Sequence, residues 1–444
     1  MLKSALLILS GNAAFSVFLL IRNLAVATLI PLEDYAIAAT FMIAMTAVEM
    51  ASTLGLQQQI VQADKGEDVR FQAALQGFQV VRGLLAGVVL FVAAGSIAGF
   101  MGVPQIAWAY QVLAVIPVLN ALHHFDMHRL NRQMVFGPLI WTKVVPIAAS
   151  LLVIWPLATT LGDYRVMLWA LVVQAAVMTV MSHVTAQRSY RLVWDRDIIG
   201  ESLRFGWPLL LNSIFLFGVF QGDKIIVGHV LGLEPLALFA MGFTLTLAPS
   251  LVMANSIQNF FLPQLSKGDA RFGMLAQVTS QTGLFGGVVL VIAVAVLGAP
   301  LVDVVLGDKY AGLVPLLVPL AVLQAIRIAK AGPSIAAMAK GHTTNAMWAN
   351  VPRLISLVVI WVALHQGADL ITVLWIGCLG EFVGLIVAGA LMRQRTGVMM
   401  AVVPFIGACA FWVVAVMAPW WVMVIVGLVG VGLMRDFRLY IRRK

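Results

Sequence analysis

Seven basic side chains interrupt long apolar runs of this sequence: Arg22, Arg82, Lys143, Lys224, Arg327, Lys330 and Arg353. A cation at the centre of a bilayer costs roughly 2.5–3.5 kcal/mol on insertion scales. Seven facing lipid would cost on the order of 20 kcal/mol, more than the net stability of most folds. Most must therefore face protein or water. The carboxylates inside the same runs are Glu49, Asp223, Glu381 and, close to one end, Asp126. They are too few to neutralise seven cations, so the interior keeps a positive surplus, which suits an anionic ligand. Arginine suits phosphate in particular, because its planar fork engages two oxygens at once.

Depth separates the seven. Arg327 falls near the middle of its run, and Arg22 and Lys224 fall beyond the middle of theirs. These three are the first candidates to project into one cavity. Arg82, Lys143, Lys330 and Arg353 lie one or two turns from the end of their runs. They extend the ladder of cations, or alternatively snorkel to the interface. Lys224 has its own alternative, neutralisation by an aspartate on a neighbouring helix. Asp223 corresponds to Arg22 at an offset of 201, so the two are expected to meet when two lobes close. Glu381 and Glu49 are candidate proton or cation sites, since a lone carboxylate within a span is expensive unless it is neutralised. Asp223, Glu381 and Glu49 are thus the candidates for gating or coupling.

Other chemistry is not legible. The sequence has no nucleophile elbow, catalytic carboxylate pair or phosphate-cradling glycine loop, so no catalytic residue, cofactor or ATP use is assigned. Cys378 and Cys409 both lie in apolar runs and imply neither a disulfide framework nor a metal site. His123, His124 and His128 cluster with Asp126, and the reading for them is a solvated helix end.

The elements that carry these residues are membrane helices. The chain is 61% hydrophobic and 11% charged over 444 residues, with mean hydropathy +0.99. Runs near 20 residues long recur throughout, each sufficient to cross a bilayer as a helix. The reading is an all-α polytopic membrane protein with about fourteen spans, near 4–30, 36–60, 74–101, 106–127, 137–158, 165–187, 203–231, 234–262, 276–300, 313–339, 346–365, 369–391, 398–417 and 419–434. The last two, divided by Pro419, are alternatively one hairpin after twelve spans. The first run has no small-residue cleavage site and is read as a retained span. Outside the runs, nineteen basic residues, including five in the tail at 435–444, fall on one side and only Arg165 and Lys309 on the other. The positive-inside rule then places both termini in the cytoplasm. The net charge of +9 is accordingly a topology signal, and no nucleic-acid partner is expected.

An internal repeat divides the chain. VPIAASLLVIW at 145–155 and VPRLISLVVIW at 351–361 match at seven of eleven positions. Asp163 and Leu168-Trp169 recur at the same offset as Asp369 and Leu374-Trp375, and Val118–Leu122 echoes Val322–Ile326. With an even number of spans per repeat, the two lobes are parallel, related by a pseudo-twofold axis along the membrane normal. The expected division is a six-helix lobe at 1–195, a second at 196–395, and a helix pair with a basic tail at 396–444. Small-residue pairs Gly83/Gly87, Gly95/Gly99, Gly283/Gly287 and Gly380/Gly384 are candidate faces for close helix approach.

At Arg22 and the following turn the sequence resembles the Wzx-type polysaccharide flippases. That family carries an arginine in its first span and then a turn like LLGPEDYG; here the turn is LIPLEDYA at 29–36, matching at Leu29, Glu33, Asp34 and Tyr35. The stretch FGWPLLLNSIFLFGVFQGDKIIVGHVLG is similar to the seventh span of the same group, with Gly-x-Pro, an apolar run, then Asp-Lys and Gly. The family's superfamily also holds MATE drug exporters and MurJ-type lipid II flippases. The resemblance, over roughly 1–395, implies alternating access that carries a polyprenyl-diphosphate-linked oligosaccharide to the outer leaflet of a bacterial cytoplasmic (inner) membrane for surface polysaccharide biosynthesis. It implies membrane lipids, a polysaccharide polymerase and chain-length proteins as partners. The rival readings are a cation-coupled MATE-type exporter, a membrane glycosyltransferase or polymerase acting on the same lipid, and a non-transporting scaffold. An exporter of organic cations calls for an acidic interior, and the enzymes call for catalytic carboxylates in long outer loops; neither is present in the sequence.

Overall fold

The computed structural model describes residues 2–267, 271–417 and 420–432. The basic tail at 435–444 and Pro419 lie outside the described residues. Among those described, every regular element is a helix, as expected where no water satisfies the backbone. The chain forms two compact units, one of Met1–Gln221 with Gly232–Ala237, the other of Gly222–Leu231 with Leu238–Lys444.

The first unit begins with α1 (Leu2–Leu29), α2 (Leu32–Ala51) and the short α3 (Leu56–Gln62), followed by the long α4 (Val69–Phe100). A broken element comes next, made of α5 (Ala107–Leu113), α6 (Val115–Ala121) and α7 (Asp126–Arg132); then α8 (Gly137–Thr160) and α9 (Arg165–Val184). α10 (Arg196–Val230) starts in this unit and ends in the other. Gly55 (φ +64°) turns the chain from α2 into α3, a conformation that costs glycine nothing, and an added Cβ would sit 2.3 Å from Leu209.

The second unit continues with α11 (Leu233–Leu265), α12 (Phe272–Leu301), α13 (Val314–Ala339), α14 (Thr344–His365), α15 (Leu370–Thr396), α16 (Val402–Met417) and α17 (Trp420–Gly432). Its core joins α12 and α13 to α15 and α16 through Leu284, Val288, Ala325, Leu385 and Phe411.

Among the described residues, eleven helices are long and apolar enough to cross a membrane, and the bent pair Pro104–Ala121 with Asp126–Arg132, its halves meeting at 48°, makes a twelfth if it is one span. The chain is therefore a multi-pass membrane protein. The thirteenth and fourteenth spans expected from sequence correspond to α16 and α17, of which the described residues make 16 and 13.

The matched sequence segments fall on helices of the two units. VPIAASLLVIW lies in α8 and VPRLISLVVIW in α14, each with its matched proline inside the helix. Asp163 accepts from the Arg165 N–H at 2.9 Å before α9, and Asp369 accepts from the Thr372 N–H at 2.9 Å before α15. Gly83 and Gly87 of α4 bring that helix onto the carbonyls of Pro117 and Ala114, while Gly283 and Gly287 of α12 sit on the carbonyls of Ile328 and Ala325. Gly380 and Gly384 lie on Ser356 and the Ala349 carbonyl. Gly95/Gly99 is corrected as a packing pair: nothing lies within 4 Å of a Cβ at either position.

Candidate functional site

The first unit encloses a cavity of about 600 Å³ walled by α1, α2, α3, α4, α6, α8 and α9. A second cavity of about 320 Å³ adjoins it between α3, α7, α8 and α9. Gln57, Gln58, Lys143 and Met178 line both, so Lys143 stands where the two join.

Arg82, Lys143 and Glu49 are on the wall of the larger cavity. Lys143 is exposed there and makes no hydrogen bond or ion pair among the described residues. The half-buried Arg82 donates from Nη1 to the Ser52 carbonyl, and its Nη2 lies 3.4 Å from Gln79 Oε1. That carbonyl is freed where α2 ends, so the close of one helix orients a cation on the next. Arg22 is buried behind the wall, and its guanidinium donates to Gln174 Oε1. Gln174 itself lines the cavity. Arg22 thus acts on the cavity through a carboxamide and does not reach into it directly.

The other predicted residues gather in the second unit. Glu381 of α15 accepts from Arg327 Nε on Oε1 at 2.6 Å and from Lys330 Nζ on Oε2 at 2.6 Å. Arg353 Nε lies 3.6 Å from the same carboxylate, and Arg353 also donates to Asp223. Lys330 makes a further 2.7 Å bond to Asn350, and Arg353 one of 2.7 Å to Ser356. Arg327 and Lys330 share a face of α13, being three residues apart. Gly380 leaves space for Ser356, since a Cβ there would lie 2.6 Å from its hydroxyl. Lys224 Nζ sits 4.3 Å from the centre of the Phe243 ring, and the Arg327 guanidinium 5.4 Å from it, a cation–π arrangement. Among the described residues this group brings four cations together with the carboxylates of Glu381 and Asp223.

Three expectations change. Glu381 is not a lone carboxylate: three cations hold it, so the isolation that made it a coupling candidate is absent. Arg353 and Lys330 do not snorkel; they are 0% and 8% exposed and engaged in ion pairs. The histidine and Asp126 cluster is not a solvated helix end, for all four residues are buried. The chain breaks after α6, and Asp126 accepts from Arg129 at 2.6 Å and from the N–H groups of Gln187 and Arg188. That network straps the segment after α9 onto the basic end of the unit, where Gln76 donates to the Arg191 carbonyl at 2.8 Å. Only the grouping of His124 with Asp126 hinted at it in sequence.

A helical membrane protein with a polar cavity in one unit and a buried ion cluster in the other has the makings of a transporter. The chain belongs to the family described as polysaccharide biosynthesis protein, whose match covers residues 25–315. The teichuronic acid biosynthesis protein TuaB of Bacillus subtilis (strain 168) is 22% identical over 339 residues, covering 73% of this chain and 68% of that protein. The lipid II flippase MurJ in an inward closed conformation superposes with a TM-score of 0.76 at 12% identity, covering 99% of this chain and 100% of that one. An inward-facing multidrug resistance MATE family transporter of the MOP superfamily gives 0.70 at 15% identity, covering 86% and 94%. The fold is the one these transporters share.

Proposed function

We infer that this protein is a flippase that carries a polyprenyl-diphosphate-linked oligosaccharide across the membrane, by alternating access, for polysaccharide biosynthesis. The observation that supports it most is the cavity of the first unit, which presents Lys143, without a counter-ion among the described residues, and Arg82 on the same wall. A cation left unpaired in a cavity is a poor structural element but a ready receptor for phosphate. In this reading Lys143 and Arg82 meet the diphosphate, and Arg22 steadies the wall through Gln174. Lys224 and Arg327 form a second cationic station beside Phe243, whereas Lys330 and Arg353 serve to hold Glu381 and Asp223. The protein is a carrier and not an enzyme, lies in the bacterial cytoplasmic membrane with both termini in the cytoplasm, and hands its cargo to a polysaccharide polymerase. The two lobes of the repeat supply the moving parts.

The diphosphate is negative, and a potential positive outside favours its outward passage by about 2.3 kcal/mol per charge per 100 mV. The test is outward movement of a fluorescent polyprenyl-diphosphate trisaccharide in proteoliposomes. Lys143→Ala and Arg82→Ala are each expected to reduce it at least tenfold while the protein remains monodisperse. Transport at the parent rate by both variants would remove the basis of the proposal.

A further inference from the structure

The wall of the larger cavity is unusual in its neutral polar groups. Asn12, Gln57, Gln58, Asn120 and Gln174 all line it. The side chains of the first four make no hydrogen bond among the described residues. Gln174 accepts from Arg22 on its carbonyl oxygen and keeps its N–H groups to offer. A carboxamide presents a donor and an acceptor side by side, which matches a hydroxyl, itself both donor and acceptor. Phosphate oxygens, by contrast, only accept. Glu49 sharpens the distinction. It lies on the wall of the larger cavity but not of the smaller, and a carboxylate accepts from hydroxyls but has no donor to offer phosphate oxygens. Lys143 stands at the junction, away from any carboxylate partner. The volume, about 600 Å³, falls within the range of about 300–1,000 Å³ common for small-molecule sites.

We propose that the larger cavity is a sugar compartment. The diphosphate is held by Lys143, where the two cavities join, and by Arg82 on the wall of the larger one. The first sugar beyond it enters the larger cavity, where Glu49 accepts from its hydroxyls and Gln58, Asn120 and Gln174 complete its hydrogen bonds. Glu49 is then a specificity residue. This inference rests on the flippase reading, but it assigns a ligand chemistry to groups which that reading leaves unused.

The experiment measures equilibrium binding to the full-length protein in lipid nanodiscs. One probe is a bare tetraprenyl diphosphate. Three others carry a single hexose, N-acetylhexosamine or hexuronic acid on the same diphosphate. At least one glycosylated probe is expected to bind about tenfold more tightly than the bare one, the yield of one or two good hydrogen bonds. Glu49→Gln and Asn120→Leu, both on the wall of the larger cavity only, should each remove about fivefold or more of that advantage and leave bare-probe affinity within about twofold, which also certifies their folding. Lys143→Ala should weaken all four probes alike. If no sugar improves on the bare diphosphate, or if Glu49→Gln and Asn120→Leu weaken the bare probe equally, the sugar compartment is wrong while the flippase reading stands. If the parent protein binds none of the four, the flippase reading fails, and the compartment with it.

Discussion

Glu381→Gln removes the charge at the centre of the second unit's ion cluster and almost nothing else. Its two oxygens lie 2.6 Å from Arg327 and Lys330, and Arg353 is 3.6 Å away. The carboxylate is wholly buried. Taking one partner from a buried ion pair costs about 3–5 kcal/mol, because the remaining charge is left uncompensated. Here three cations lose their shared counter-ion, while Asp223 stays bound to Arg353. For a unit of this size each kcal/mol corresponds to about 2–4 °C in Tm, so the loss should be roughly 6–20 °C. The assay is thermal unfolding in detergent, read by near-ultraviolet circular dichroism. Glu381→Gln combined with Lys330→Met, which removes one stranded cation as well, should recover at least a third of the shift. A single variant within about 2 °C of the parent would refute the view that this carboxylate holds the cluster together. So would a double variant worse than the single.

Three further outcomes follow from other parts of the molecule. At Gly83 an added Cβ would meet the Ala121 Cβ at 2.2 Å and the Pro117 carbonyl at 2.7 Å; Gly83→Leu should lower Tm sharply, whereas Gly95→Leu, with open space at that position, should leave it nearly unchanged. Asp195 is held below the usual carboxylate range by the Ile198 N–H and by Arg70, so this anchor is at full strength above the unfolded value of about 4 and is lost as pH falls through the lower folded value. Cleavage of the 185–196 segment by an acid-active protease should therefore rise below about pH 4 in the parent and already be high at pH 6 in Asp195→Asn; equal cleavage of both at pH 6 would count against the anchor. Cysteines introduced at positions 162 and 309 should react with an impermeant reagent from outside intact cells and one at 66 should not, and external labelling at 66 would overturn the N-in topology drawn from the charge asymmetry.

The all-helical, multi-pass architecture was legible in the sequence because a bilayer imposes one rule on every segment: about twenty apolar residues, helical. The repeat was legible for a related reason. Gly83/Gly87 and Gly283/Gly287 occupy equivalent faces because close helix approach in lipid depends on residue size, and size is written in the chain. The positive surplus of the interior also followed from composition, since seven cations and at most four carboxylates cannot cancel.

The partners of those charges were another matter. Whether Glu381 stands alone depends on where α13 and α14 bring Arg327, Lys330 and Arg353, and these are 28 to 54 positions away in the chain. Nothing in local spacing encodes such a meeting. Arg22 was read as lining a cavity and instead supports Gln174, because depth in a span says how far a side chain is from the interface but not which neighbour it faces. The break between α6 and α7 was read as the end of one helix, and it turned a supposed solvated cluster into the buried strap around Asp126. The carboxamides of the cavity carried no signal at all, since asparagine and glutamine are too common in sequence to attract notice; only the packing of seven helices gathers Asn12, Gln58, Asn120 and Gln174 onto one wall beside Glu49. Local physics selects the elements, whereas the choice of which polar groups share a desolvated space is made by tertiary packing.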